Sequence, residues 1–380
     1  MKNILISVAC VVFFSATVSA TISTNVNIKS SSSRLDSSMS FVSINNFNID
    51  SILSYNNYED VGGTIISSGM SKETLVVRFT ITNNLGNDRI YIKVPLVIVD
   101  SITLFDVTNN AYVLSGASIP REERVYDDPY CIFPININRG SSSEFLLVVS
   151  TEFPFVSPIE IKSAEDLTAE IGFRNLYLGI FSGVMLLMFA YNFILLILTK
   201  DRNYFYYIGY IFFIFMAQSN FLGVSYYLLG DFPLINNSLF YFGSGLSGIF
   251  GCLFLRNFLF TKTNVPILDK GLSILILLYI VQIVFTIFGY YFFSTILIQA
   301  IGALVVIVFG IIAIYLTIKN IAYARFYLIA WTPLLIGLIT LILRDNGLLP
   351  YNSITTYLFS VGILLETVLL SLALADQINT

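Results

Sequence analysis

The sequence predicts an exported all-β sandwich followed by an all-α bundle of seven transmembrane helices, and three observations predict it. Up to Glu170 polar and apolar residues mix in short β-type runs separated by turn residues, whereas from Leu176 onward long stretches of Ile, Leu, Phe and Val dominate. Overall, 56% of the residues are hydrophobic and 12% charged, against roughly 45–50% and about 25% in an ordinary soluble domain. One chain with two such regions needs two solvents.

Lys2, the apolar run Ile4 to Phe14 and the small-residue end Val18-Ser19-Ala20 have the layout of a secretory signal cleaved after Ala20. Ser7 argues against a lipoprotein reading of Cys10, because such a signal wants an aliphatic residue there. Residues 21–40 are Ser-rich and weakly apolar, a loose leader able to add one edge strand. Residues 41–170 are expected to form the sandwich. Its β-type runs are Thr74 to Thr82, Ile90 to Val99, Ser101 to Asp106, Tyr112 to Leu114, Cys131 to Ile137, Glu144 to Ser150 and Ile159 to Ile161. Asn83-Asn84, Gly86-Asn87, Asn109-Asn110 and Arg139-Gly140 punctuate them, as antiparallel strands require.

Residues 171–375 contain seven stretches that approach or exceed the ~20 apolar residues a helix needs to cross a bilayer. They are Leu176 to Leu198, Tyr204 to Leu222, Leu239 to Phe260, Leu272 to Tyr290, Thr295 to Ile318, Phe326 to Leu343 and Ile354 to Leu374. With the N-terminal domain outside, the inner loops hold Lys200, Arg202, Lys262, Lys270, Lys319 and Arg325, and the outer loops only Arg344. That is the positive-inside pattern. An odd number of crossings leaves residues 376–380 in the cytoplasm.

Charge divides at the same place. Residues 21–170 carry 10 basic and 18 acidic side chains, a net of −8, and residues 171–380 carry 9 and 6, a net of +3. An acidic exported domain argues against nucleic acid or anionic lipid as its ligand. The chain has no histidine, which excludes His-ligated zinc, a Ser-His relay and a phospho-accepting histidine. Cys131 is alone in the exported domain and Cys252 lies in a hydrophobic helix, so no intramolecular disulfide staples the sandwich. Cys131 reads as a buried small hydrophobe, with intermolecular pairing as the alternative. The spans offer no nucleophile and base pair, and the seventh has no lysine for a retinal Schiff base. Neither enzymatic activity nor a cofactor or metal is expected.

Ionisable residues inside the spans are candidates for a transmembrane relay, because a charge in hydrocarbon needs a partner or water. Glu366, near the middle of the seventh stretch, is either a conformational switch or a neutral acid in a structural hydrogen bond. Arg256, near the inner end of the third, is either a relay or a side chain that snorkels to the interface. Gly243, Ser247 and Gly251 recur at four-residue spacing and allow close helix approach, within the bundle or at a homodimer seam. In the exported half, Arg121 to Arg124 and Tyr126-Asp127-Asp128-Pro129-Tyr130 form a dense polar and aromatic loop. Arg124, Tyr126, Asp127 and Asp128 suit a sugar or another small polar ligand, or else a solvated turn. Arg78, inside the apolar strand Leu75 to Ile81, is a further ligand-binding candidate, and is either outward-facing or a buried ion-pair partner.

These residues resemble a known family, the bacterial seven-transmembrane receptors with diverse intracellular signalling modules, carrying that family's type 2 extracellular domain. In the exported half the resemblance rests on Leu75-Val76-Val77-Arg78 with Asn83, on Asp100 to Phe105, on Gly116, Pro120 and Arg124, and on Phe145-Leu146 leading to Ser150 and Pro158. In the membrane half it rests on Tyr191-Asn192-Phe193, on Asp201 with Tyr204 and Tyr207, on Phe258-Leu259 with Pro266, and above all on Gly362, Glu366 and Leu370 to Asp376. Gln377 stands where that family's closing signature usually has a basic residue.

The resemblance implies a jelly-roll-like domain similar to carbohydrate-binding modules, in the inner membrane of a bacterium, sensing a small ligand outside. In that family an effector module usually follows the seventh helix, whereas this sequence stops at Thr380, so the expectation is either a receptor that works through a separate cytoplasmic signalling partner or a chain that lost its effector. The alternative is a transporter or channel with an accessory exported domain, which would show repeated halves and several intramembrane polar groups. The short connection around Ile171 to Asn175 is expected to carry strain from sandwich to bundle.

Overall fold

The computed structural model describes residues 74–379 apart from 85–87, 154, 346–347 and 351, together with strands at 25–28, 32–34, 40–44, 59–60 and 66–69. The expected signal peptide lies outside the described residues. The chain divides into two compact units. The first takes its described residues from Met1–Pro95, Ser101–Ser115 and Ile132–Ala164, and the second from Leu96–Asp100, Gly116–Cys131 and Glu165–Thr380.

The first unit is all β. Its strands are β1 (Asn25–Ile28), β2 (Ser32–Arg34), β3 (Ser40–Ile44), β4 (Glu59–Asp60), β5 (Ile66–Gly69), β6 (Thr74–Asn83), β7 (Arg89–Val94), β8 (Ser101–Asp106), β9 (Ala111–Ser115), β10 (Cys131–Asn136), β11 (Ser142–Ser150), β12 (Phe155–Ser157) and β13 (Glu160–Lys162). The larger sheet runs β4-β3-β6-β11-β8-β9, with β1 parallel to the far end of β6; a second runs β10-β7-β13-β2, and β12 pairs with β5. The sequence reason is period-two alternation. Along β6, Leu75, Val77, Phe79 and Ile81 are buried while Thr74, Arg78, Thr80 and Thr82 are half-exposed. Phe79 stacks on Phe145, its partner across the ladder, at 5.9 Å between ring centres. The sandwich-like pair of sheets is the expected class.

Three details differ from the sequence reading. The run from Ile90 leaves its sheet at Val94, because Pro95 has no ladder donor. The Ser-rich leader supplies two short strands, β1 and β2, rather than one. β3, β4, β5 and β12 lie outside the expected runs, and β5 and β12 pair although a three-residue strand beside Pro158 and a Gly/Ser-rich run carry almost no β signal. Arg78 forms an ion pair with Glu144 on the partly exposed sheet face. Cys131 is buried, as a small hydrophobe would be.

The second unit holds seven helices of at least 20 residues among its described residues: α1 (Ala164–Thr199), α2 (Arg202–Phe221), α3 (Pro233–Phe258), α4 (Pro266–Ile287), α5 (Tyr291–Ile318), α6 (Ala322–Asp345) and α7 (Ser353–Asn379). Six are long and apolar enough to cross a membrane, and α2 is the exception. It is polar because it is interior: Asn203, Tyr204, Tyr207, Gln218, Ser219 and Asn220 are all buried. A helix shielded by its neighbours need not match lipid along its whole length.

Hydropathy also misplaced the start of α1. The helix begins at Ala164, with Glu165 and Asp166 in its first turn, where acidic side chains favour the helix dipole. Ile171 to Asn175 therefore lie inside a helix rather than in a connection, and only Ser163 separates β13 from α1.

Glycines set the closest helix crossings. A Cβ at Gly243 would lie 2.6 Å from the backbone nitrogen of Ala217 on α2, and one at Gly248 would lie 2.1 Å from the Tyr279 ring on α4. Gly337 and Gly362 do the same between α6 and α7, where a Cβ at Gly362 would lie 2.6 Å from the carbonyl oxygen of Pro333. The small residues of α3 are thus taken up inside the bundle. Gly251 is the outlier, with its nearest neighbour an ordinary 3.5 Å away on the Tyr210 ring. Gly243→Ala is expected to destabilise the folded chain by about 1–3 kcal/mol, because backbone must move, whereas Gly251→Ala is expected to be near neutral. Thermal melts of the two variants in nanodiscs check this, and equal midpoints would contradict it.

Candidate functional site

Residues 116–131 lie between β9 and β10 in the chain, yet they fold as part of the helical unit. Backbone bonds from Ala117 to the Val99 oxygen (2.6 Å) and from Ser118 to the Asp100 oxygen (2.9 Å) brace the segment on residues 96–100. Pro120 then opens a single 3-10 turn, Arg121–Glu123. Arg121 N donates to the carbonyl of Gly230, and Asn237 Nδ2 donates to that of Ala117, which fixes the segment on the α2–α3 connection and the first turns of α3. Gly223, with φ +87°, leaves the space that Pro129 fills, since a Cβ there would lie 2.6 Å from the proline.

Two adjacent carboxylates face two different clamps. Asp128 receives a bidentate pair of hydrogen bonds from Arg174 on α1, at 2.7 and 2.5 Å, and both side chains are almost fully buried. The Tyr130 backbone N–H also donates to Asp128, and the Tyr130 ring lies 4.7 Å from the Arg174 guanidinium. Arg174 further donates to the Tyr227 hydroxyl, which donates to Asn175 Oδ1. Asp127 accepts from Arg121 at 2.7 and 2.6 Å and from the Tyr226 hydroxyl at 2.9 Å. Arg124 stacks 4.6 Å from the Tyr226 ring and donates to the carbonyls of Ile119 and Asp128.

The Arg121 hydrogen bonds, opposed by partial burial and helped by Tyr226, hold the Asp127 carboxyl below its usual range. Burial, with Asp127 as acceptor, pushes the Tyr226 phenol well above its ordinary value. A depressed carboxylate pKa contributes stability that is complete above the unfolded value of about 4 and is lost as pH falls through the folded value. The Asp127 contact therefore persists through neutral and mildly acidic conditions.

Deeper in the bundle, Glu366 on α7 is 2% exposed and accepts from the Tyr210 hydroxyl at 2.6 Å. The neighbouring Tyr207 donates to the carbonyl of Thr367. Three further contacts join α1 to α7: Tyr177 to Ser360, Thr367 to Met185, and Ser371 to Asn192. Arg256 bonds to the Asp269 carboxylate at 2.8 Å and to Ser273 at 2.5 Å, linking neighbouring ends of α3 and α4, and Thr261 shares the same Asp269 oxygen at 2.6 Å.

Of the residues singled out in the sequence, Arg124, Asp127 and Asp128 come together, with Tyr126 between them in the chain, and the first three are engaged by the helical unit itself. Arg78 lies in the other unit. Glu366 and Arg256 have separate partners. Sequence reasoning missed Arg174, Tyr226, Tyr227 and Asp269. A signal for Arg174 existed: two adjacent acids among aromatics need a counter-charge, and Arg174 is the cation at the head of the first span.

Asp128→Asn leaves Arg174 buried without a countercharge, a loss of about 3–5 kcal/mol, and is expected to lower the thermal midpoint of the full chain more than Asp127→Asn, whose carboxylate is half-exposed. The double variant Arg174→Met with Asp128→Leu should recover part of that loss. Equal effects of the two single variants in a melting experiment would show that the buried pair carries no special weight.

Two family models match the chain. The one described as 7TM diverse intracellular signalling covers residues 174–377, and the one described as 7TMR-DISM extracellular 2 covers residues 43–163. No curated protein matches it. With more than half of its length within the first match and its extracellular domain within the second, the chain belongs to the 7TMR-DISM receptor family, as a multi-pass membrane protein with an extracellular N-terminal domain.

Proposed function

We propose that this receptor binds a small extracellular ligand on its β domain, with carbohydrate the first class to test, and relays the event through the helices to a separate cytoplasmic signalling protein. It works without a catalytic step of its own, in a bacterial cytoplasmic membrane with the C-terminus inside. The observation that carries this reading is the buried Asp128–Arg174 pair. It ties a segment of the extracellular domain's own chain to the first membrane helix.

Ligand binding changes a receptor's output only by its differential affinity for two arrangements. Residues 116–131 enter from β9 and leave into β10, so a shift in either strand acts directly on Asp128. From Arg174 the path runs down α1, across the Tyr177, Met185 and Asn192 contacts to α7, and there meets Glu366 and Tyr210. The absence of histidine from the whole sequence supports the non-enzymatic reading.

The test is hydrogen exchange on the full chain in nanodiscs against a panel of mono- and oligosaccharides. A binder is expected to protect the β strands and also to change exchange in residues 116–131 and at the inner helix ends. Asp128→Asn should keep the first effect and lose the last, and Glu366→Gln should weaken it while preserving the fold. A ligand that protects the strands and leaves the helices of the wild-type chain untouched would sink the relay.

A further inference from the structure

The helix ends opposite the docked segment carry the charge pattern that orients the chain, and the ligand relay gives those charges no further role. Contacts gather them at one end of the bundle: Arg256 on Asp269, Asn257 Nδ2 on Asn203 Oδ1 at 2.8 Å, and the Phe258 ring 6.2 Å from Tyr323. Six cations stand exposed there, Lys200, Arg202, Lys262, Lys270, Lys319 and Arg325. The described acidic side chains at the same end are engaged within the fold. Asp201 caps α2 by accepting from the Asn203 N–H, and Asp269 is taken by Arg256 and Thr261.

The cations are held by tight turns rather than carried on long loops. Lys200 itself has φ 55°, and the turn between α5 and α6 pivots on Asn320 at φ 60°. Arg325 donates to the Asn320 side chain, and the Lys319 ammonium lies 4.7 Å from the Tyr315 ring. Each turn also sets an exposed apolar residue beside its cation: Leu198 is 73% exposed, Phe260 53% and Ile318 74%. Apolar side chains next to short-tethered cations match a layer that is hydrocarbon below and phosphate above, which an acidic soluble protein is not.

We infer that this face is a docking surface for anionic phospholipid headgroups, recognised by the three inner turns together. The inference requires only that the bundle cross a membrane, and stands apart from the ligand-relay reading. Each cation removed is expected to weaken attraction to an anionic surface about fivefold.

The experiment compares the full chain in phosphatidylcholine nanodiscs with and without phosphatidylglycerol, reading the thermal midpoint and hydrogen exchange of residues 199–203, 260–270 and 318–325. Phosphatidylglycerol should raise the midpoint and slow exchange in those turns, and added salt should reverse both. The combined variant Lys200→Gln, Lys262→Gln and Lys319→Gln should lose about a hundredfold in apparent affinity for the anionic lipid, while melting like wild type in phosphatidylcholine alone. Should that variant fail to fold, the lipid and salt titration of the wild-type chain still decides. Equal midpoints in the two lipids would overturn the inference. So would a rise reproduced by free inorganic phosphate, or binding of a soluble polyglutamate in neutral discs without any response to phosphatidylglycerol.

Discussion

The pairing of Asp128 with Arg174 is the constraint on which the outer end of the helical unit depends. Neither charge could be buried alone, since an unpaired carboxylate or guanidinium away from water costs several kcal/mol even after relaxation. Each therefore requires the other, and the bidentate geometry leaves little freedom in how they meet. Pro129 seated against Gly223 and Arg121 bound to the Gly230 carbonyl repeat the fixation on the next helix connection. The net gain of such a pair over an apolar contact is small. Its value lies in register: the bidentate geometry specifies how the segment sits on α1.

The same logic orders the bundle interior. A helix facing lipid can be uniformly apolar, and α5 nearly is. A helix at the centre has partners for polar groups, and α2 uses them, so the least hydropathic span is among the best packed. Its tyrosines reach α7, where Tyr210 meets Glu366 and Tyr207 meets the Thr367 carbonyl. Glycines on α3, α6 and α7 close the α2–α3, α3–α4 and α6–α7 crossings on either side of these contacts.

Much of the fold was legible in the sequence because two periods carry it. Alternation at two residues marked β6 to β11 and β13 in the first unit, and apolar length marked the helices of the second. What escaped did so for physical reasons. Hydropathy measures the part of a helix in hydrocarbon, so it could not see the polar first turns of α1 or the interior role of α2. Strands as short as β5 and β12 owe their existence to a neighbour rather than to propensity. The candidate site was half legible: Asp127, Asp128 and Arg124 stood out as a cluster. Their partners Arg174, Tyr226 and Tyr227 lie about 45 to 100 positions further along, and nothing in local pattern encodes that pairing.

This distribution also changes what the acidic loop means. Read alone, Asp127-Asp128 beside two tyrosines and two arginines looks like an open site waiting for a polar ligand. In the fold, Arg121, Arg174 and Tyr226 already supply the hydrogen bonds such a ligand would make, and the segment's own carboxylates receive them, while Arg124 is taken by its backbone carbonyls. A further polar ligand could enter only by displacing those bonds. The cluster therefore reads as the fastening of residues 116–131 on the helical unit rather than as an open site.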